Sequence, residues 1–220
     1  MKVISWNLLR LIGASVDEIA GLVDRQRPDF LLMQEATGDV DILPTLAGGY
    51  IHHTLMPGRV YGLAVWSSRR LPTPETLTLP ISPLPGGVPR RIAQIVRHEN
   101  ITIANIHLSH GQLLNRRQLL HIAASLEGPA LVIGDFNAVG PTLLRGFRDV
   151  GPRQPTHRAS NVLPFRLDRC LVRGLDCADA QTLKRGSSDH CPILLDLEAA
   201  NDVNQNRRLL WVRRKSLVAT

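Results

Sequence analysis

Short apolar runs separated by polar punctuation recur along the first 200 residues, and most of them end in a residue able to do chemistry. Lys2–Trp6 has the composition of an opening strand and stops at Asn7. SVDEIAGLVDRQR (15–27) then carries a helix-start signal. Ser15 can cap, Glu18 stands three residues on, and Val16, Ile19, Ala20, Leu22 and Val23 form one face before Pro28-Asp29 ends it. Phe30–Gln34 is apolar over strand length and stops at Glu35. Further strands are predicted at Gly62–Trp66, Ile92–Val96, Ile101–Ile106, Ala130–Ile133, Leu167–Val172 and Pro192–Leu197. The pair around His98–Asn100 reads as a hairpin. Residues 112–126 read as a helix with Leu113, Leu114, Leu119, Leu120 and Ile122 as its core side. Between Pro72 and Pro89 the prolines and glycines predict a loop or an edge excursion rather than core sheet. No internal repeat is visible in the sequence.

Strand ends hold side chains rigidly, so the residues found there matter. Asn7, Glu35, His107, Asp135 and Asn137 follow such runs, Asp168 lies within FRLDRCLV, and Asp189-His190 precede CPILLDL. Each has a bland reading as a turn former, cap or surface ion pair; Asp168, for example, is flanked by Arg166 and Arg169. Six coincidences at successive strand ends favour one shared site. Carboxylates and amide oxygens suit Mg²⁺ or Mn²⁺ better than zinc. A histidine braced by a carboxylate can exchange protons near neutral pH, which makes His190 with Asp168 a candidate pair. His52, His53, His98, His121 and His157 read as structural or surface residues, and His110 is left open.

At these residues the chain resembles the endonuclease/exonuclease/phosphatase superfamily, which includes DNase I-like nucleases, abasic-site endonucleases, sphingomyelinase-like enzymes and inositol polyphosphate phosphatases. The resemblance spans roughly residues 3–197. It rests on SWNL (5–8), LLMQEA (31–36), YGLAVWSSR (61–69), ANIHL (104–108), GDFNA (134–138), RLDRCLV (166–172) and SSDHCPI (187–193), in family order. It implies an α/β fold, a four-layer sandwich of two packed, mainly antiparallel sheets flanked by helices. It also implies a metal-dependent phosphoesterase. Glu35, Asn7 and Asp189 would hold Mg²⁺ or Mn²⁺, while His107, Asn137 and His190 would surround the phosphate. Either Asp135 or the Asp168–His190 pair would activate water. Trp66 and Arg169-Cys170 depart from the family pattern without removing any of these groups.

Composition narrows the picture further. With 44% apolar and 20% charged residues, the 220-residue chain is expected to fold as one domain over 1–200. Residues 201–220 form a basic tail of unassigned role. The net charge of +7 divides into +4 in that tail and +3 in the body, so charge alone says little about a partner. Cys170, Cys177 and Cys191 are too irregularly spaced for a disulfide framework and read as small hydrophobes rather than a zinc site. No segment has the apolar length of a membrane span, and the start does not read as a signal peptide; a cytoplasmic monomer is expected.

A nucleic acid is the favoured substrate, with Arg69, Arg70, Arg90, Arg91, Arg116, Arg117, Arg153 and Arg158 as candidates to line a positive groove. A phospholipid head group or a small phosphate ester is the alternative, and a catalytically silent phosphate-binding protein is the competing class.

Overall fold

The computed structural model describes residues 1–82, 90–159 and 163–200, with only the backbone of Arg158 and Ala159. The basic tail, most of the second half of the 72–89 loop and the Arg158 side chain therefore lie outside the described residues. In chain order the elements are β1 (Lys2–Asn7), α1 (Val16–Gln26), β2 (Phe30–Thr37), α2 (Leu43–Ala47), β3 (Tyr50–Leu55), β4 (Tyr61–Ser67), β5 (Glu75–Thr78), β6 (Ile92–His98) and β7 (Ile101–His107). There follow α3 (Gln112–Ala124), β8 (Ala130–Asp135), β9 (Arg148–Asp149), β10 (His157–Ala159), β11 (Leu163–Phe165), β12 (Asp168–Arg173), β13 (Leu175–Thr182) and β14 (Ile193–Ala199).

Two six-stranded sheets result, ordered β13-β14-β1-β2-β4-β3 and β5-β6-β7-β8-β12-β9, with β10 and β11 as a separate hairpin. Each sheet is antiparallel except for its central pair, β1–β2 in one and β7–β8 in the other. Parallel neighbours need a crossover, which α1 and α3 supply. The two sheets thus share one topology although the sequence shows no repeat.

Alternation along the strands builds the layers. Val3, Leu32, Leu131 and Ile133 pack in the cluster between the sheets. Their neighbours Ile4, Leu31 and Met33 face α1, while Val132 faces α3. Burial on both faces explains why the central strands read as continuous apolar runs. The sandwich flanked by helices is the fold expected from the sequence. Among the described residues no helix is long and apolar enough to cross a membrane.

The helix at 16–26 starts as expected: Ser15 Oγ accepts from the Glu18 N–H at 3.2 Å and Glu18 returns a carboxylate to the Ser15 N–H at 3.0 Å. The expected inner face of α3 needs correction. Leu113 is 84% and Leu120 52% exposed, and the buried residues are Asn115, Gln118, Leu119 and Ile122. Two polar side chains face inward because they tie down the preceding loop: Gln118 Oε1 accepts from the Ser109 N–H at 3.0 Å, and Asn115 donates to the Ser109 and Phe136 carbonyls. The 72–89 segment contributes the edge strand β5, in keeping with an excursion at the sheet margin.

A buried polar network crosses the middle layer just below the strand ends. Asn105 Nδ2 donates to the Met33 and Ala64 carbonyls at 3.2 and 3.1 Å and to Gln94 Oε1 at 3.3 Å. Its Oδ1 accepts from Gln34 Nε2 at 2.8 Å, and Gln34 Nε2 also reaches Ser5 Oγ at 3.1 Å. The network joins the two sheets and fixes how their ends face each other.

Candidate active site

The C-terminal ends of the two central parallel pairs meet across the sandwich. Asn7 ends β1, His107 ends β7 and Asp135 ends β8; His107 lies opposite Asp135 in register. Glu35 is delivered differently. Gln34 pairs with Leu63 and Ala36 with Gly62, so Glu35 is the extra residue of a β-bulge, with a left-handed φ of 52°. The bulge turns a residue of a fully buried strand toward the cleft. On the other side of β4, Gly62 lets β3 approach closely, since a Cβ there would lie 1.9 Å from the Thr54 carbonyl oxygen. Gly134 plays the same part before Asp135: its φ is 141° and a Cβ would lie 2.0 Å from the Ile106 oxygen.

Asn7, Glu35, His107, Asp135, Asn137, Asp189 and His190 all line one cleft of about 270 Å³, together with Arg10, Tyr61, Arg91, His110 and His157. Asp168, the eighth residue singled out from the sequence, stands behind His190. Its Oδ2 is 2.8 Å from His190 Nδ1, which leaves Nε2 facing the cleft. Arg166 and Arg169, its neighbours in sequence, pair instead with Asp149.

Asp135 sits at the centre. Its Oδ2 accepts from Asn7 Nδ2 at 3.0 Å and its Oδ1 from the Asn137 N–H at 2.9 Å. His107 Nε2 is 3.5 Å and His190 Nε2 3.9 Å from Oδ2. Asn137, itself at φ 47°, is tied by its Nδ2 to the Leu108 carbonyl at 3.0 Å.

The two histidines are in opposite electrostatic situations. Burial drives His107 down to about 3 against the pull of Asp135, so its ring is neutral near pH 7. Burial also opposes charge on His190, but Asp168, adjacent in charge and hydrogen-bonded, overcomes it with help from Asp135 and Asp189, and raises the ring to about 10.

Glu35 Oε2 meets Arg10 Nε at 3.2 Å, and the Arg10 guanidinium lies over the Tyr61 ring at 5.1 Å. Arg10 gets there through Leu9–Leu11, three consecutive residues with positive φ. Such a turn costs roughly 1–2 kcal/mol per residue for non-glycine side chains. Nothing in NLLRL signals it.

His157, read from sequence as structural or surface, belongs to the cleft. Its Nε2 is 3.3 Å from Asp189 Oδ2, and its ring packs on His190 with centroids 4.5 Å apart. It lies on the short β10 strand, outside any apolar run, so pattern reading had no purchase on it. The donor atoms of His157, Asp189 and His190 lie within 4.8 Å of one another.

The donor set fits a hard divalent cation. Glu35, Asp135 and Asp189 bring carboxylates to one cleft, and Asn7 adds an amide oxygen. Asp189 Oδ1 is buried with no hydrogen-bond partner, an arrangement that a cation would satisfy. No disulfide joins the three cysteines, and Cys170 is buried in the middle layer.

Residues 4–190 match the sequence profile of the Endonuclease/Exonuclease/phosphatase family. The chain belongs to this family. Its members are hydrolases acting on phosphoesters. The fold agrees with solved structures at low identity. A functionally unknown conserved protein from Enterococcus faecalis V583 superposes with a TM-score of 0.74 at 18% identity, covering 91% of this chain and 100% of that one. An endonuclease/exonuclease/phosphatase from Bacteroides vulgatus gives 0.74 at 17%, covering 90% and 98%. A TDP2 from D. rerio, humanized by 14 mutations, gives 0.71 at 17%, covering 90% and 99%. No curated protein matches the sequence. Family membership and the cleft at the strand ends are both legible in the same motifs; Arg10, Tyr61 and His157 join the cleft from the structure, and Arg91, a groove candidate in the sequence, lies in it too.

Proposed function

We propose that the protein is a divalent-metal-dependent phosphodiesterase that hydrolyses nucleic-acid phosphodiester bonds at this cleft. The observation that carries the proposal is the meeting of Glu35, Asp135 and the Asp168-braced His190 on one surface, from strands distant in sequence. Glu35, Asn7 and Asp189 would hold Mg²⁺ or Mn²⁺, which when bound supplies positive charge against the phosphate oxygens and the leaving group. Asp135 takes the proton of the attacking water, held in place by its bonds from Asn7 and Asn137. His190, with Nδ1 engaged by Asp168, presents Nε2–H to a phosphate oxygen. His107 stays neutral and donates or accepts at Nε2, and Asn137 orients the phosphate. The exposed Arg10 and the buried Arg91 add positive charge to the cleft, as binding of a phosphodiester requires. Membership of the family supports phosphoester chemistry at this cleft, and the likeness to TDP2 supports the scaffold.

The test is turnover of bis(p-nitrophenyl) phosphate, plasmid DNA, abasic duplex, RNA and phospholipid, each with and without Mg²⁺ or Mn²⁺. Metal-dependent nicking of plasmid or RNA is expected, and Asp135→Asn should lower it by at least ~100-fold in a folded protein. Activity confined to phospholipid would replace nucleic acid as the substrate. Near-normal nicking by folded Asp135→Asn would remove Asp135 from its role.

A further inference from the structure

The second half of the molecule carries a basic groove outside the catalytic cleft. It encloses about 870 Å³ between α3, the 140–149 segment and the β9–β12 sheet margin, and it shares Arg116 and residues 140–143 with a smaller adjoining depression of about 300 Å³. Six arginines line it, with Asp149 as the only acid among the described lining residues. Asp149 is already taken: both of its oxygens accept from Arg166 at 2.7 Å, and Arg169 Nη1 stands 3.5 Å away. Arg148 is paired with Asp176 at 2.6 Å. Arg116, Arg145 and Arg153 are exposed and make no hydrogen bond or ion pair to any described residue. Arg166 and Arg169 therefore form a fixed wall whose two charges are half offset by Asp149, and three guanidinium groups without a partner among the described residues are added to it.

Two buried polar atoms on the same wall lack partners, Thr142 Oγ1 and Arg169 Nε, although Arg169 is only 4% exposed. The groove offers no free aromatic face. Phe147 is its one described aromatic, and Arg173 covers that ring at 4.9 Å. It thus has donors for phosphates and lacks a platform for stacked bases.

The groove and the catalytic cleft share no lining residue, but they are joined through the chain. Residues 138–145 run directly on from Asn137, and Arg169 donates to the Ala138 and Gly140 carbonyls at 3.0 and 2.7 Å. On β12 the adjacent residues Asp168 and Arg169 serve the two sites, Asp168 bracing His190 and Arg169 bracing the groove.

We propose that this groove is a non-catalytic subsite for the sugar-phosphate backbone of a nucleic acid, gripping it through Arg116, Arg145 and Arg153 while the scissile bond lies among Glu35, Asp135 and His190. The occupant follows from charge complementarity, since a row of unpaired arginines without stacking partners matches repeated phosphates and not bases. The inference rests on the nucleic-acid reading of the catalytic cleft. Of the arginines named from sequence as groove candidates, Arg116 and Arg153 lie here, whereas Arg91 is in the catalytic cleft and Arg69 lines a separate depression with Phe30 and His98.

The full-length chain and the triple variant Arg116→Ala/Arg145→Ala/Arg153→Ala are compared in two measurements. Binding of a fluorescein-labelled 20-base-pair duplex is followed by anisotropy in EDTA from 50 to 300 mM KCl, and turnover of plasmid and of bis(p-nitrophenyl) phosphate is measured with Mg²⁺. Three lost phosphate contacts should flatten the slope of log K against log salt by about 2.7. Plasmid turnover at sub-saturating substrate should fall at least ~10-fold, bis(p-nitrophenyl) phosphate turnover should stay within ~2-fold, and the corresponding triple lysine variant should recover most of the slope. An unchanged slope in the folded triple variant overturns the subsite. So does a loss seen only for vesicles containing phosphatidylserine. If the wild-type chain binds the duplex with the expected slope change but never nicks DNA, the groove stands and the catalytic reading falls; nicking that is unaffected by the triple change gives the reverse.

Discussion

Asn105 offers the sharpest test of how the sandwich positions its site. Its side chain has four partners, with the two Nδ2 hydrogens shared among three acceptors and Oδ1 accepting from Gln34, and it lies two residues before His107. Asn105→Ala removes these bonds. At about 1 kcal/mol net for each of the three bonds that two hydrogens and one oxygen can make, the loss is about 3 kcal/mol. Gln94 Oε1 loses its donor, whereas the Met33 and Ala64 carbonyls belong to strands with ladder bonds of their own. A loss of about 2–4 kcal/mol is a large share of the 5–15 kcal/mol typical of a domain. Urea unfolding followed by far-UV circular dichroism should show a lower midpoint with an unchanged m-value. Because the network joins β2, β4 and β7, turnover should also fall under conditions where the variant is fully folded. A change below about 1 kcal/mol, with full activity, would refute the idea that this network sets the alignment of the sheets.

Two pH-dependent outcomes follow from the ion pairs. His190 titrates at about 10 rather than 6.5, so the stability it confers is complete below pH 6.5 and is lost as pH rises toward 10. At about 1.4 kcal/mol per unit, this amounts to at most about 5 kcal/mol. In Asp168→Asn, only Asp135 and Asp189 remain to oppose burial, so the ring should titrate well below its wild-type value and the alkaline decline in stability should shrink; NMR of the His190 ring and denaturant melts at pH 6–10 check both, and a wild-type ring titrating near 6.5 contradicts them. The Asp149 carboxyl is costly to bury, but its bonds from Arg166 and its proximity to Arg169 bring it below the ordinary 3.8. Its contribution is present above that value and disappears as pH falls through the folded one, so Asp149→Asn should be less stable than wild type at pH 6 and lose less between pH 5 and 3. Parallel acid melts of the two proteins would count against this.

The sequence was most readable where both faces of a strand are covered. β1, β2, β7 and β8 announced themselves as apolar runs ending in polar residues, and those ends are the cleft. The margins were silent. β3 (YIHHTL) and β13 (LDCADAQT) lie at the edge of their sheet, half solvated, and show no apolar run to detect. The inner face of α3 misled because Asn115 and Gln118 hold a loop, a demand that hydrophobic periodicity does not register. Glu35 was identified by its place in LLMQEA, yet the bulge that aims it depends on a register with β4 that local pattern does not encode. Arg10 and His157 reached the cleft through a left-handed turn and a short hairpin, each invisible to a reading based on period.

The shared topology of the two sheets has a consequence for tuning. Asn7 and Glu35 travel with one parallel pair, His107 and Asp135 with the other. Spacing within each couple is locked by its ladder, but spacing between couples is decided by how the apolar filling holds the halves apart. A methylene gained or lost in that filling, far from solvent, would shift one couple bodily against the other. Preference for a larger or smaller ion could therefore drift through substitutions that never touch it.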